Sequence, residues 1–547
     1  MRLLLDNATV VDGTGAPGRV GRVLIEDDAI AEVDAITLVP DEVLDCEGMV
    51  VAPGFIDMHS HSDFTLVERP LVEAKVMQGV TTEVVGNCGI GLITSNDEVD
   101  RLYEKLLPLV SGERGGTVHR SVAAFREAID GLGGVSVNVA PLIPHGNVRC
   151  AAMGMVERRA NLTELHQMRE LVDGGMRDGA FGMSTGLIYP PGAFAEAEEL
   201  TELAKCVAPY DGIYATHMRD EGSRLVESVE EAIAIGEAAE VSVQLSHHKA
   251  AGRFNWGKVK KSLRLVEEAR ARSIDVHSDV YPYTAGSTVL SAMFLPLWVF
   301  EGSWDEMLAR LTDPATRERI IEDSNARFLD FARLPGVWDR IVPKRLLLPL
   351  LLRHLSKLVV VNSVRRQHQY EGMSLYEIRK ARKQGLYDML LDLLAEEDAA
   401  VSAIADVMSE DDVRYVMKHD TTMFGTDGFN PTEGKPHPRT YGTYPRILER
   451  YVRELGLFSL ESAVHKMTGM VADKLGIGDR GRVLPGHKAD LVVFSPGRVH
   501  DRATYAESRR TPTGMPHVFV NGAWTVRDGR HTGARAAGVL RKDGPRG

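Results

Sequence analysis

The stretch Gly54-Phe-Ile-Asp-Met-His59-Ser-His61-Ser-Asp63 joins a short apolar strand to two histidines that lie two positions apart. Side chains at positions i and i+2 of a β-strand point to the same face, so both imidazoles would face one way. If this strand belongs to a parallel sheet, they would lie at its carboxyl end, where active sites are usually built. Such a pair suits a divalent metal ion, although polar residues closing a strand would give the same pattern.

Short apolar strands continue along the chain and alternate with amphipathic helical stretches such as 196–206, 223–239 and 256–272. The predicted strands are 49–58, 81–85, 136–143, 179–184, 212–216, 241–246, 274–280 and 422–426. Alternating strands and helices imply a parallel sheet, and eight such strands predict a (β/α)₈ barrel of the TIM type. A doubly wound open sheet is the alternative.

The residue pattern at both ends of the chain differs from that of the middle. Short runs rich in β-branched residues, as at 21–25 and 489–496, are separated there by Gly and Asp. We therefore expect a small β domain built from residues 1–52 and 478–530, around a barrel over 53–477. An insert at about 285–420, with helical patterns, separates the seventh and eighth strands. The tail at 531–547 follows, and its last dozen residues, rich in Gly, Arg and Lys, are expected to be disordered.

The chain has 547 residues and a net charge of −13, without a Lys/Arg block, which argues against a nucleic-acid partner. Four widely spaced cysteines do not predict a disulfide framework. Asp6 interrupts the N-terminus before a signal-peptide core could form. The apolar run at 346–352 is broken by Pro349 and is too short to span a membrane. We expect a cytoplasmic protein without a membrane partner, and the sequence leaves a homo-oligomer open.

Further metal-binding residue types follow other predicted strands. Cys88 lies in Gly-Asn-Cys-Gly after the second strand, His217 ends the fifth, His247 ends the sixth, and Asp427 follows the eighth in Gly-Thr-Asp-Gly. Taken singly, each has an ordinary structural explanation, such as a buried thiol or an Asp-Gly turn. Together with the first-strand histidines they predict a metal site, and imidazole with thiolate favours zinc over magnesium or calcium.

A carboxylate beside such a metal can accept a proton from water and deliver it to a leaving group, which makes Asp427 a candidate catalytic residue. Four other residues could bind a substrate carboxylate. Lys249 should share the face of His247, Tyr281 and Tyr283 follow the seventh strand, and Arg439 lies a dozen residues after Asp427. Arg can hold a carboxylate through two parallel hydrogen bonds. Surface ion pairs and satisfied loop polar groups remain the alternative for these four residues.

Several segments resemble one known family over nearly the whole chain, in order. They are PGFIDMHSHSD, GVTTEVVGNCGIG, STGLIYPPG, ATHMRDEG, QLSHHK, DVYPYTAGST, FGTDG, HPRTYGTYPRILERYVRE, KMTGMVADKLGIGDRGRVLPGHKADLVVF and GVLRK. The chain is similar to the N-acyl-D-amino-acid deacylases, or D-aminoacylases, of the amidohydrolase superfamily. The segment 338–361 looks like extra material, which puts acyl-chain specificity and oligomer contacts in doubt.

The resemblance implies a barrel with a β-sandwich made from both ends. It implies a tight Zn²⁺ held by Cys88, His217 and His247, and a second, weaker site at His59, His61 and Asp427 that Cys88 can share. Asp427 would be the general base and then the acid. Lys249, a tyrosine of Tyr281-Pro-Tyr283 and Arg439 would hold the substrate carboxylate. The expected products are a carboxylic acid and a free D-amino acid.

Three other functions are alternatives. Cyclic amidohydrolases of the hydantoinase or dihydroorotase kind bridge two metals with a fourth-strand lysine, and the segment 180–191 contains none. A D-aminoacyl dipeptidase would use the same reaction type. A non-catalytic scaffold relative would usually have lost ligand residues, whereas every ligand position here is filled.

Overall fold

The computed structural model describes residues 1–110, 118–331, 344–429 and 434–545. Its central feature is a set of parallel strands in which sequence neighbours pair side by side. Those strands are Phe55–Asp57, Val80–Val85, Asn138–Pro141, Ile143–Pro144, Gly182–Gly186, Ile213–His217, Ser242–Leu245, Val276–Val280 and Thr422–Phe424. Within the described strands the pairing does not reverse its order as it would in a doubly wound sheet.

Met58 N–H donates to Phe424 O at 3.4 Å and Asp427 N–H to His59 O at 2.7 Å, so the first strand ends beside the last. One apolar cluster takes Ile56, Ala215 and Met423 from three of these strands. The polar ends of the first and last strands therefore lie together above a shared core.

The prediction of one strand over 49–58 is wrong. Two strands form there, Val50–Pro53 and Phe55–Asp57, and they belong to different sheets. The chain separates at Gly54, where a Cβ atom would lie 2.2 Å from the side chain of Thr81. The other predicted strands each overlap an observed strand.

Helices connect the central strands. Their bounds are Glu73–Val76, Asp97–Val110, Val122–Gly131, His145–Met153, Leu162–Arg177, Ala197–Ala204, Leu225–Ala239, Val259–Ala271, Glu410–Lys418, Arg439–Arg446, Leu460–Met467 and Gly469–Leu475, with a π-helical turn at Ile447–Glu454. Asn161 caps one of them through a capping box with Glu164, which satisfies backbone N–H groups at the helix start. Among the described residues no helix is both long and apolar enough to cross a membrane.

The predicted insert has a sheet and an apolar core of its own. The antiparallel strands Ala285–Val289, Val359–Val364 and Val401–Asp406 pair with one another. Helices of the insert are Leu290–Phe294, Trp304–Thr312, Pro314–Phe331, Lys344–Leu358, Leu375–Arg382 and Leu386–Glu396. Residues 338–343 of the predicted extra segment lie outside the described part, and the rest forms helix and strand.

Strands from both ends of the chain share a nine-stranded sheet. They are Arg2–Val10, Arg19–Glu26, Ala29–Val33, Glu42–Asp45, Val50–Pro53, Leu491–Phe494, His517–Val520, Ala523–Arg527 and Arg530–His531. The two ends meet where Val50–Pro53 pairs with Leu491–Phe494.

The expected disorder of the last dozen residues is wrong for most of them. Ala537 and Val539 form bridges to Val135 and Val139, and Lys542 N–H donates to Gly179 O at 2.9 Å. The tail therefore contacts the central sheet.

Candidate metal centre

The predicted ligands all lie at or just beyond the carboxyl ends of central strands. His217 is the last residue of its strand, and His247 lies two residues past Ser242–Leu245. The first strand ends at Asp57, so His59 and His61 follow it, although their ring centroids still lie 5.4 Å apart. The direction of these two imidazoles is therefore set by the turn after the strand and not by the alternation of side chains along a strand.

Three candidate ligands adopt left-handed backbone conformations, with φ of 54° at Cys88, 35° at His247 and 47° at Asp427. Such angles are uncommon outside glycine and cost about 1–3 kcal/mol each, and they tend to occur at functional sites. The Cys88 turn is also tight, because a Cβ at Gly86 would lie 2.4 Å from Leu142 O. The surrounding fold holds these residues against their local preference.

One group of possible ligand atoms comes from His59, His61, Cys88 and Asp427, all within 4.8 Å of one another and all buried. His59 Nε2 lies 3.3 Å from Cys88 Sγ and 3.5 Å from Asp427 Oδ1. His61 Nε2 lies 3.2 Å from Asp427 Oδ1. An ion between these atoms would have two nitrogens, a sulfur and an oxygen as neighbours.

A second group shares the same sulfur and consists of Cys88, His217 and His247. Cys88 Sγ lies 3.5 Å from His247 Nε2, and the ring centroids of His217 and His247 are 4.4 Å apart. Both ring nitrogens of His217 are buried without a hydrogen-bond partner among the described residues. Leaving them unpaired would cost free energy, which is consistent with a metal ion or a water molecule bound to the ring.

The protonation states of His217 and His247 also fit a metal. Burial holds the pKa of His217 and His247 well below the usual value, which leaves them neutral, the form that binds metal ions. Burial raises the pKa of the Cys88 thiol although His59 opposes the shift. A cation beside the sulfur would favour the thiolate. Sulfur and imidazole donors together suit zinc.

Asp427 joins the candidate metal site to a buried cation. Its Oδ1 faces the two first-strand histidines, and its Oδ2 lies 2.8 Å from Arg439 Nη1. Burial alone would raise the pKa of Asp427, but Arg439 and His59 outweigh it and hold the pKa well below the usual value. The carboxylate is therefore charged and able to accept a proton.

The structure brings Lys249, Tyr281 and Arg439 together. The Arg439 guanidinium lies 4.6 Å from the Tyr281 ring centroid and Lys249 Nζ lies 5.8 Å from it. The Tyr281 hydroxyl is buried and lacks a hydrogen-bond partner among the residues described. Tyr283 instead packs against His437, at 5.1 Å between ring centroids, and under the guanidinium of Arg446.

Two carboxylates beside the candidate ligands were missed in the sequence. Glu221 Oε1 lies 2.9 Å from His247 Nδ1, and Asp279 Oδ1 lies 3.2 Å from His59 Nδ1. Carboxylates in this position commonly orient histidine ligands of metals. Glu221 follows His217 by four residues in one loop, which is the only sequence signal that we can identify for it.

Comparisons with known proteins identify relatives over nearly the whole length of the chain. The amidohydrolase family model matches residues 42–285 and 379–526. The D-aminoacylase of Alcaligenes xylosoxydans xylosoxydans is 36% identical over 541 residues, covering 98% of this chain and 97% of that protein. A solved D-aminoacylase with a binuclear metal centre has a TM-score of 0.81 at 35% identity, over 98% of this chain and 99% of that one.

The N-acyl-D-glutamate deacylase of Bordetella bronchiseptica, solved with zinc and a phosphonate inhibitor, has a TM-score of 0.80 at 31% identity, with 98% and 99% coverage. Hydantoinases share the fold alone: that of Arthrobacter aurescens is 15% identical with a TM-score of 0.53, over 97% of both chains. These likenesses confirm the predicted resemblance and a TIM-barrel-type fold. The chain belongs to the amidohydrolase family, in the group that includes D-aminoacylase and N-acyl-D-glutamate deacylase.

Proposed function

We propose that this protein hydrolyses the amide bond of N-acyl-D-amino acids with the help of zinc, releasing a carboxylic acid and a free D-amino acid. The observation that carries the proposal is the convergence of Cys88, His217, His247 and Asp427 beside the buried cation Arg439. Full-length likeness to D-aminoacylase supports the substrate class.

In this proposal Cys88, His217 and His247 would hold one tight zinc ion. His59, His61 and Asp427, which lie beside the same sulfur, would form a second, weaker position. A bound zinc ion would polarise the amide carbonyl and lower the pKa of a water molecule.

Asp427 acts as general base and then as general acid. Arg439 and His59 keep it ionised at neutral pH. Its Oδ1 faces the two histidines, where it can take a proton from the attacking water. It then returns the proton to the departing amine. Arg439 stays on Oδ2 and leaves Oδ1 free on the side of the histidines.

The substrate carboxylate would bind among Lys249, Tyr281 and Arg439, which supply two positive charges and an unpartnered hydroxyl. Tyr283 remains a candidate for the same role, although its contacts with His437 and Arg446 favour a supporting position. Charge-assisted hydrogen bonds of this kind are about twice as strong as neutral ones, so an anionic substrate is favoured.

We also propose the following domain arrangement. Eight parallel strands close into a (β/α)₈ barrel over residues 53–477, with an insert at about 285–420. The segments 1–52 and 478–530 form a β-sandwich domain, and residues 531–547 form a tail. We propose a cytoplasmic location.

The test is hydrolysis of N-acetyl-D-methionine by the zinc-loaded protein, beside its L enantiomer, a hydantoin and a D-dipeptide. We expect turnover of the N-acetyl-D compound. The variant Asp427→Asn should lose several orders of magnitude in kcat and keep its zinc. Asp420→Asn, on an exposed residue that precedes the eighth strand, is the matched control. Near-normal turnover in Asp427→Asn, or preferred ring opening, would overturn the proposal.

A further inference from the structure

Glu221 contacts both halves of the proposed site. Its Oε1 lies 2.9 Å from His247 Nδ1 and 2.7 Å from Lys249 Nζ, and its Oε2 lies 3.7 Å from His217 Nε2. Only 11% of its side chain is exposed. One carboxylate thus touches two proposed zinc ligands and one proposed substrate-binding cation.

The hydrogen bonds around His247 constrain its tautomer. Nδ1 lies within 2.9 Å of Glu221 and within 2.8 Å of Lys249 Nζ, yet a single ring nitrogen either donates or accepts. Nε2 faces Cys88 Sγ at 3.5 Å. For Nε2 to present a lone pair there, the proton must lie on Nδ1, and of the two described side chains that contact Nδ1 only Glu221 can accept it.

Lys249 then has to find other acceptors, because an ammonium group only donates. Two are in place, Glu221 Oε1 at 2.7 Å and the backbone oxygen of His247 at 3.1 Å. Both keep Nζ on the side of Tyr281. The arrangement that frees His247 for a metal is therefore also the one in which Glu221 anchors Lys249.

We propose that Glu221 is a positioning residue that couples zinc binding to recognition of the substrate carboxylate. It orients the lone pair of His247 towards Cys88 and holds Lys249 beside Tyr281. The part of this inference that concerns the substrate carboxylate, its substrate half, rests on the proposed function. The part that concerns zinc affinity, its metal half, is argued from the contacts alone. Asp279 orients His59 in a similar way, but its contacts are with His59, His247 and Gln244.

The change Glu221→Gln keeps the size of the side chain and removes its charge. Loss of an outer-shell carboxylate typically weakens metal binding about 10–100-fold, so the zinc dissociation constant should rise by that factor. KM for N-acetyl-D-methionine should rise roughly tenfold because the charge-assisted bond that anchors Lys249 is lost. Glu221→Asp keeps the charge and should restore part of both effects.

The matched control is Glu231→Gln, because Glu231 pairs with Arg219, which lies two residues after the strand Ile213–His217. Zinc affinity is measured by competition with a chromophoric chelator, without substrate. The carboxylate effect is isolated by comparing KM for N-acetyl-D-methionine with the inhibition constant of N-acetyl-3-(methylthio)propylamine, which lacks the carboxylate. With zinc at a saturating concentration, we expect Glu221→Gln to raise KM for N-acetyl-D-methionine and to leave the inhibition constant of the carboxylate-free amide unaltered.

Unchanged zinc affinity in both Glu221 variants would overturn the metal half of the inference. Equal weakening of both compounds would overturn the substrate half, since the effect would then not depend on the carboxylate. If the wild-type protein does not hydrolyse any N-acyl-D-amino acid, the proposed function fails. The chelator competition would still test the contact of Glu221 with His247.

Discussion

Replacing Lys75 with Met should destabilise the protein by about 3–5 kcal/mol, the cost of removing one partner of a buried ion pair. Lys75 Nζ is fully buried and donates to Asp57 Oδ2 at 2.6 Å, Ser60 Oγ at 2.8 Å and Thr426 Oγ1 at 2.6 Å. A second carboxylate, Glu83 Oε2, lies 3.6 Å away. All three ammonium protons are used, and the variant would leave two buried carboxylates without a cation.

The loss should fall near the lower end of that range. Burial raises the pKa of Glu83, and the positive charge of Lys75 opposes that shift. Once the lysine is replaced, Glu83 can therefore take up a proton. Asp57 keeps the hydrogen bonds from Thr426 N–H at 2.8 Å and from Thr426 Oγ1 at 2.7 Å. Those bonds tie the first central strand to the last.

The assay is urea denaturation of the wild type and the variant, each with and without zinc. Lys488→Met is the control, because Lys488 pairs with Asp28 while their side chains are 35% and 56% exposed. Exposed pairs contribute about 0–1 kcal/mol. Adding Asp57→Asn to Lys75→Met should recover part of the loss, since one unpaired charge disappears. A loss no larger than that of the control would refute the reasoning.

Cys88→Ser should weaken zinc binding at least about 100-fold by chelator competition, because both ligand groups share this sulfur; retained affinity would contradict the shared site. Gly425→Ala should lower kcat and thermal stability together, since its Cβ would lie 2.6 Å from His59 Cβ, and unchanged kcat would count against this packing. Burial lowers the pKa of Lys474 to about 8 from 10.5, although Asp275 opposes the shift. The unfolded chain then binds more protons between these values, so stability relative to Lys474→Met should rise over this pH range in urea titrations. A constant or falling difference would show the sign to be wrong.

The central strands could be predicted because their apolar runs are short and bounded by polar turn residues. The separation at Gly54 was missed because the apolar run was taken as one strand, although Pro53-Gly54 is a dipeptide that often interrupts strands. What divides it is the close approach of Thr81, a contact between segments distant in sequence. The sheet of the insert was missed for a similar reason, because Ala285–Val289 pairs with Val401–Asp406 across more than a hundred residues.

The candidate ligands were recognised from residue type and from their position after strands. The direction of their side chains was not predicted, because it depends on left-handed turns at Cys88, His247 and Asp427. Of these only Asp427, in an Asp-Gly pair, has a turn signal in the sequence. Glu221 and Asp279 were missed since acidic residues near strand ends are common. Only their distances to imidazole nitrogens distinguish them.

The pairing of Val50–Pro53 with Leu491–Phe494 has a consequence for biosynthesis. On the ribosome the early strand emerges long before its partner, and at about 5–20 residues per second the delay is roughly 20–90 seconds. Throughout that interval the edge of Val50–Pro53 lacks its neighbour, and unpaired edges invite aggregation. Yield of the intact protein should therefore respond to chaperone supply and to growth temperature during expression.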